Sequence, residues 1–276
     1  MAILKIISLL TYLATIVLFW HRIKQTRPDG NGTEGLSPRA NRNSYLLLTG
    51  LAVTLHGIVL YGSVVNTNKL DIALGHIASL VCLMTVVVFL IGSMTRNILN
   101  LGALVMPIGL LGLLVGVFFP GQSQVIAQAP LSLWFHLAIA ILAFGILCIA
   151  AAQALLLYIQ EKQLHSANPG GLFPALPAIQ TMESNLFVLT LIGALLLTAN
   201  LITGMISSFQ VHGQTLVFNH HILLSFIAWL GFCSLLIGHK IYGWRGRIAA
   251  KWTLFAFLVL VLAYFGTRFV KSIILG

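Results

Sequence analysis

Eight apolar runs, at 2–20, 44–66, 70–92, 98–118, 132–159, 184–208, 219–239 and 252–272, occupy most of this 276-residue chain. Each has the roughly 20 residues that a helix needs to cross the hydrocarbon core of a bilayer. Backbone in hydrocarbon must satisfy its own hydrogen bonds, which leaves helices or closed barrels, and no run shows strand alternation. The expected fold is therefore all-α, a polytopic membrane protein of eight transmembrane helices. Only 7 % of the residues are charged, against about a quarter in a soluble domain, so there is too little polar surface to cover a water-soluble globule. The fifth run is overlong and is expected to tilt or project beyond the bilayer. The N-terminal run leads into Phe19-Trp20-His21-Arg22 where a signal peptide would carry small residues, so it reads as a retained first helix.

The +10 formal charge is explained by where the cations lie. Loop 21–43 holds Arg22, Lys24, Arg27, Arg39 and Arg42, and loop 240–251 holds Lys240, Arg245, Arg247 and Lys251. With Arg96 and Lys162, these alternate loops contain eleven of the fifteen Lys and Arg. By the positive-inside rule they are cytoplasmic, which puts the N-terminus and the C-terminus outside. The pattern is that of membrane orientation and lipid contact, and nucleic acid is not an expected partner. The connections 21–43, with Pro28-Asp29-Gly30-Asn31-Gly32, and 160–183, with Asn168-Pro169-Gly170-Gly171, read as loops.

All five acidic residues, Asp29, Glu34, Asp71, Glu161 and Glu183, fall in loops or at helix ends. That removes paired-carboxylate chemistry inside the bilayer and weakens a proton-coupled transporter. There is no nucleophile elbow and no phosphate-cradling glycine motif. Cys82, Cys148 and Cys233 stand alone in apolar runs, without a C-x-x-C or C-x-x-C-H, and read as packing residues. Histidines remain. His76, His136, His220 and His221 lie at or near the outer ends of their helices, His56 lies in the outer half of the second, and His239 is on the cytoplasmic side. An imidazole in hydrocarbon needs a partner or a ligand. Several at one level, with no carboxylate beside them, suit haem iron held by neutral nitrogens. Zinc is less well matched, since no Cys or Glu joins them at ligand spacing. The competing reading is that each histidine bridges two helices by hydrogen bonds. For His136 the two readings balance: Ala140, Ala143 and Ala150 share its helix as a small-residue stripe, which places its ring on the protein-facing side. His221 shares a face with Ser225 and Ala228, and His220 points about 100° away.

Trp134-Phe-His136-Leu, the following Ala-Ala-Ala-Gln-Ala-Leu-Leu-Leu, Met182-Glu183, Ile227-Ala-Trp229-Leu and Gly243-Trp-Arg-Gly-Arg247-Ile-Ala-Ala together resemble the cytochrome c assembly family of CcsA-type membrane proteins. Leu262-Ala-Tyr264-Phe-Gly266-Thr-Arg268-Phe is most similar to its HemX/YpjD-like branch, and the likeness covers roughly residues 70–273. It implies an N-terminal two-helix segment with a basic cytoplasmic loop (1–69) ahead of a CcsA-like six-helix core (70–276). It also implies a bacterial inner-membrane protein associated with cytochrome c assembly, holding b-type haem near the outer face. In the family's pattern His136 matches the outer histidine that opens a helix, Gly75-His76 a glycine–histidine pair, and His239 an inner-side histidine offset in register. The family's tryptophan-rich W-D-P-K-E loop is replaced here by Phe218-Asn219-His220-His221. The expected axial ligands are His136 with His220 or His221, and His76 and His56 are alternatives or supporting partners. The implied partners are haem, membrane lipid, and either an apocytochrome or a partner membrane protein. Two rivals remain at this point: a haem-free structural or regulatory subunit, and a membrane electron carrier.

Overall fold

A computed structural model describes residues 2–25, 38–64, 73–96, 98–121, 131–164, 177–212 and 220–266. The sequence-predicted loops at Pro28–Gly32 and Asn168–Gly171, the stretch between His212 and His220, and the end of the eighth run lie outside them, as do the side chains of His212 and His220. The described chain contains no strand. Its helices are α1 (Ala2–Gln25), α2 (Pro38–Val64), α3 (Leu74–Thr95), α4 (Gly102–Phe118), α5 (Leu131–Leu164), α6 (Ile179–His212), α7 (His220–Tyr242) and α8 (Gly246–Val261). A 3-10 turn, Leu99–Leu101, leads into α4, and a π-helical turn, Leu262–Gly266, follows α8. Among the described residues, eight helices are long and apolar enough to span a membrane. α5 and α6 are both 34 residues long, about 51 Å at 1.5 Å per residue, well beyond a hydrocarbon core of about 30 Å. The excess in α6 was not apparent in the sequence, because its first turns, Ile179-Gln-Thr-Met-Glu183, are polar enough to read as loop.

The chain divides into two compact units, Met1–Ala127 with Gln163–Ala178, and Gln128–Lys162 with Ile179–Gly276. In the first, α1 presents Ser8, Tyr12, Thr15 and Phe19 inward, all buried, while Ile3, Ile6, Leu10, Leu13 and Val17 are exposed. The helix is thus apolar outside and partly polar inside, the arrangement expected where the solvent is lipid. α4 carries glycines on the face it turns to its neighbours. A Cβ on Gly116 would lie 2.8 Å from Ser79 Oγ, and one on Gly109 would lie 3.0 Å from the Tyr12 hydroxyl. Their absence lets backbones close on a buried polar group, as in other small-residue helix contacts. Arg42 closes the far end of this unit by donating to the carbonyls of Ser93 (3.0 Å) and Met94 (2.8 Å) at the end of α3, where a cation suits the helix dipole.

In the second unit α5 is buried over most of 141–160, including Ala143 (1 % exposed) and Ala150 (0 %), so these two residues of the small-residue stripe pack internally, while Ala140 is half-buried. Phe144 packs among Phe257, Tyr264 and Phe265. Between α6 and α7, the Trp229 indole N–H donates to Thr198 Oγ1 at 2.8 Å. α7 and α8 form a hairpin in which Gly231 and Ala256 approach closely. Its corner contains Gly243 (φ 67°) and Gly246 (φ 54°), both in the left-handed region that favours glycine.

Candidate functional site

α5 and α7 begin, and α6 ends, at one end of the second unit. His136 lies one and a half turns into α5, and its Nδ1–H donates to the backbone carbonyl of Asn200 on α6 at 3.1 Å. Thr203 Oγ1, 3.3 Å from the same nitrogen, uses its own hydrogen on the carbonyl of Ala199 or Asn200 and so can only accept here. A carbonyl has no hydrogen to give, so Nδ1 carries the proton and Nε2 keeps its lone pair. This is the tautomer that ligation of a metal through Nε2 requires, fixed by a hydrogen bond from the other ring nitrogen to a backbone carbonyl. Gly204 gives the ring room: a Cβ there would stand 3.0 Å from His136 Cε1.

His136 and His221 line one cavity of about 460 Å³, with Asn200, Gly204, Ser208 and Ser225 and the apolar Leu201, Met205, Ile222, Leu223 and Phe226. That volume lies within the roughly 300–1,000 Å³ typical of cofactor pockets. No Lys, Arg, Asp or Glu is among the described residues that line it. The His221 ring also lies 6.1 Å from that of Tyr264 in the π-helical turn. Ser225 follows His221 by one turn on the cavity face, in line with the face assignment from sequence. His220 is the first residue of α7.

The other histidines are placed differently. His239 is at the opposite end of α7, where it stacks on Phe187 at 3.5 Å and donates Nδ1–H to the Trp244 carbonyl at 2.8 Å. Beside it Glu183 accepts the Gly246 N–H at 2.6 Å, the Glu161 carboxylate occupies the space a Gly246 side chain would need, and Arg247 lies over the Tyr158 ring. His56 and His76 belong to the first unit. His56 has both ring nitrogens engaged, Nδ1 with the Tyr12 hydroxyl (3.0 Å) and Nε2 with Ser79 Oγ (2.9 Å), which leaves no lone pair for iron in this arrangement. His76 is buried, and its Nδ1 has no hydrogen-bond partner. Among the described residues no three His, Cys, Asp or Glu side chains converge as a metal site would require. Haem, held by its porphyrin as well as by its iron, would need fewer protein donors than such a site.

A family model described as cytochrome C assembly protein matches residues 45–275. The chain belongs to this family. It is 29 % identical over 240 residues to the inner membrane protein YpjD of Escherichia coli K12, covering 84 % of this chain and 88 % of YpjD. It is also 34 % identical over 194 residues to an uncharacterized 28.8 kDa protein from the nifR3-like 5′ region of Azospirillum brasilense, covering 67 % of this chain and 69 % of that protein. Family membership and eight membrane-spanning helices make this a membrane protein of the cytochrome c assembly family.

Asn200 and Thr203 are the site residues that sequence reading missed. The signal was present: a lone asparagine in an apolar run, with Thr203 and Gly204 three and four positions on, marks one helix face able to receive a polar ring.

Proposed function

We propose that this protein binds b-type haem in the cavity between α5, α6 and α7, with His136 as one axial ligand and His221 as the other, and acts as an assembly factor for c-type cytochromes in a bacterial inner membrane. The observation that carries the reading is the hydrogen bond from His136 Nδ1–H to the Asn200 carbonyl, which leaves Nε2 as a Lewis base in a cavity that a second imidazole also lines. The donor set fits the group: two neutral imidazoles, apolar walls, and no carboxylate to compete for iron. When bound, haem would supply its iron and its periphery. The protein's own part is to hold His136 in one tautomer and orientation, exclude water with Leu201, Ile222 and Phe226, and keep the site reachable for a recipient. The recipient would be an apocytochrome or a partner membrane protein, approached on the outer face where the count of cations places this end of the bundle.

Hydrogen-bond bridging, the rival account of the histidines, is supported by His56, which uses both nitrogens that way. His136 uses only one. The test is a haem titration of the detergent-purified protein and of single His→Ala variants at 56, 136, 220 and 221. Loss of low-spin absorption on changing 136 and 221, but not 56, supports the reading. Equal binding by all four variants refutes it.

A further inference from the structure

Asn200 lines the cavity and carries two acceptor groups that are used differently. Its backbone carbonyl orients His136. Its side-chain Oδ1 is buried without any hydrogen-bond partner, although the residue lines the cavity. An unsatisfied buried amide oxygen is costly, and each such atom in a native structure calls for an explanation, a bound group that completes it being one. Apart from the two histidines, the remaining polar lining is Ser208 and Ser225, with no cation among the described residues. An ionised carboxylate entering this cavity would lose its hydration with no charge to replace it. A neutral carboxylic acid would not, because its O–H can donate to Asn200 Oδ1 while the amide N–H donates back to the acid carbonyl.

We propose that the Asn200 side chain pairs with a protonated carboxyl group of the ligand, so that the cavity selects porphyrins bearing free carboxylic acids and fixes which edge of the ring faces α6. The inference deepens the haem reading of the cavity and rests on it. Asn200 is thereby a specificity residue, acting at the ligand's periphery and separate from the iron ligands.

The experiment titrates wild type and Asn200→Leu with haem and with haem dimethyl ester, whose capped carboxyls cannot donate, and reads affinity from the absorption change. Leucine is close to asparagine in volume, and the substitution keeps the backbone carbonyl that orients His136. Wild type should bind haem about fivefold more tightly than the ester, the size expected for the one hydrogen bond of ordinary net strength that the ester cannot donate. Asn200→Leu should bind both porphyrins with equal affinity and an unchanged low-spin spectrum, so the difference between the two ratios isolates the amide–acid pair. Asn200→Ala serves in the same way if the leucine variant does not fold. Equal affinity of wild type for the two porphyrins, or a preference that survives both substitutions, overturns the proposal while leaving the haem reading intact. Binding of neither porphyrin by wild type overturns the haem reading, and this proposal with it.

Discussion

Glu183, in the first turns of α6, accepts the backbone N–H of Gly246 at 2.6 Å and so ties α6 to the first residue of α8. The N-terminus of a helix leaves its first amides unpaired and carries partial positive charge, so a carboxylate there answers both needs. Gly246 has φ 54°, and the Glu161 carboxylate fills the space beside its Cα. Gly243, three residues earlier, also has positive φ (67°) but open space around it. Gly243→Ala should therefore lose only the conformational term, about 1–2 kcal/mol. Gly246→Ala should lose that and displace Glu161 as well, with a clearly larger drop in the thermal midpoint in detergent. Equal drops would mean that Glu161 does not pack against this corner.

The Tyr12–His56–Ser79 chain makes a second expectation. Removing the hydroxyl in Tyr12→Phe leaves His56 Nδ1 buried and unpaired, which should destabilise the protein by about 1–3 kcal/mol. His56→Ala removes the ring that joins Tyr12 to Ser79 and opens a cavity, and should destabilise by more. Neither change should alter the absorption of bound haem. A spectral change in Tyr12→Phe would show that His56 takes part in the cofactor site.

Much of this was legible in the sequence, and the boundary is physical. Apolar runs of membrane-crossing length fix the number of helices because lipid permits no other backbone solution. Ala143 and Ala150 announced a close contact through their size alone, and both are buried. The orientation of His221 toward Ser225 followed from helical geometry. The role of each histidine was not legible, because it depends on what faces it across 64 residues of sequence for His136, or 44 for the Tyr12–His56 pair. Periodicity reports which face a residue occupies, not whether the facing atom is a carbonyl, a hydroxyl or empty space. The length of α6 was missed for a related reason: polar residues such as Glu183 are stabilised there by a partner distant in sequence.

Gly204 tests the geometry of the site from the cavity wall beside the His136 ring. Gly204→Ala places a methyl 3.0 Å from His136 Cε1, so the ring must give by a few tenths of an ångström, and haem affinity should fall about three- to tenfold, as expected for a small misplacement of a positioned ligand. Gly204→Leu should displace the ring and abolish low-spin absorption. Full binding by the leucine variant would separate His136 from the iron.

Orientation can be checked independently of haem. Reporter fusions after Arg42, Lys162 and Arg247 should report the cytoplasm, and a fusion after Gly121 should report the outside. A cytoplasmic signal at Gly121 would move the His136–His221 cavity to the inner face and contradict its proposed access from outside.

The most direct test is the absorption spectrum of the protein purified after expression with excess haem, recorded for wild type and for His136→Ala with and without added imidazole. Two imidazole ligands predict a low-spin haem spectrum in wild type, its loss in His136→Ala, and partial recovery when free imidazole occupies the space left beside Gly204 and Asn200. A colourless wild-type protein, or a His136→Ala variant with the unchanged wild-type spectrum, would contradict the account.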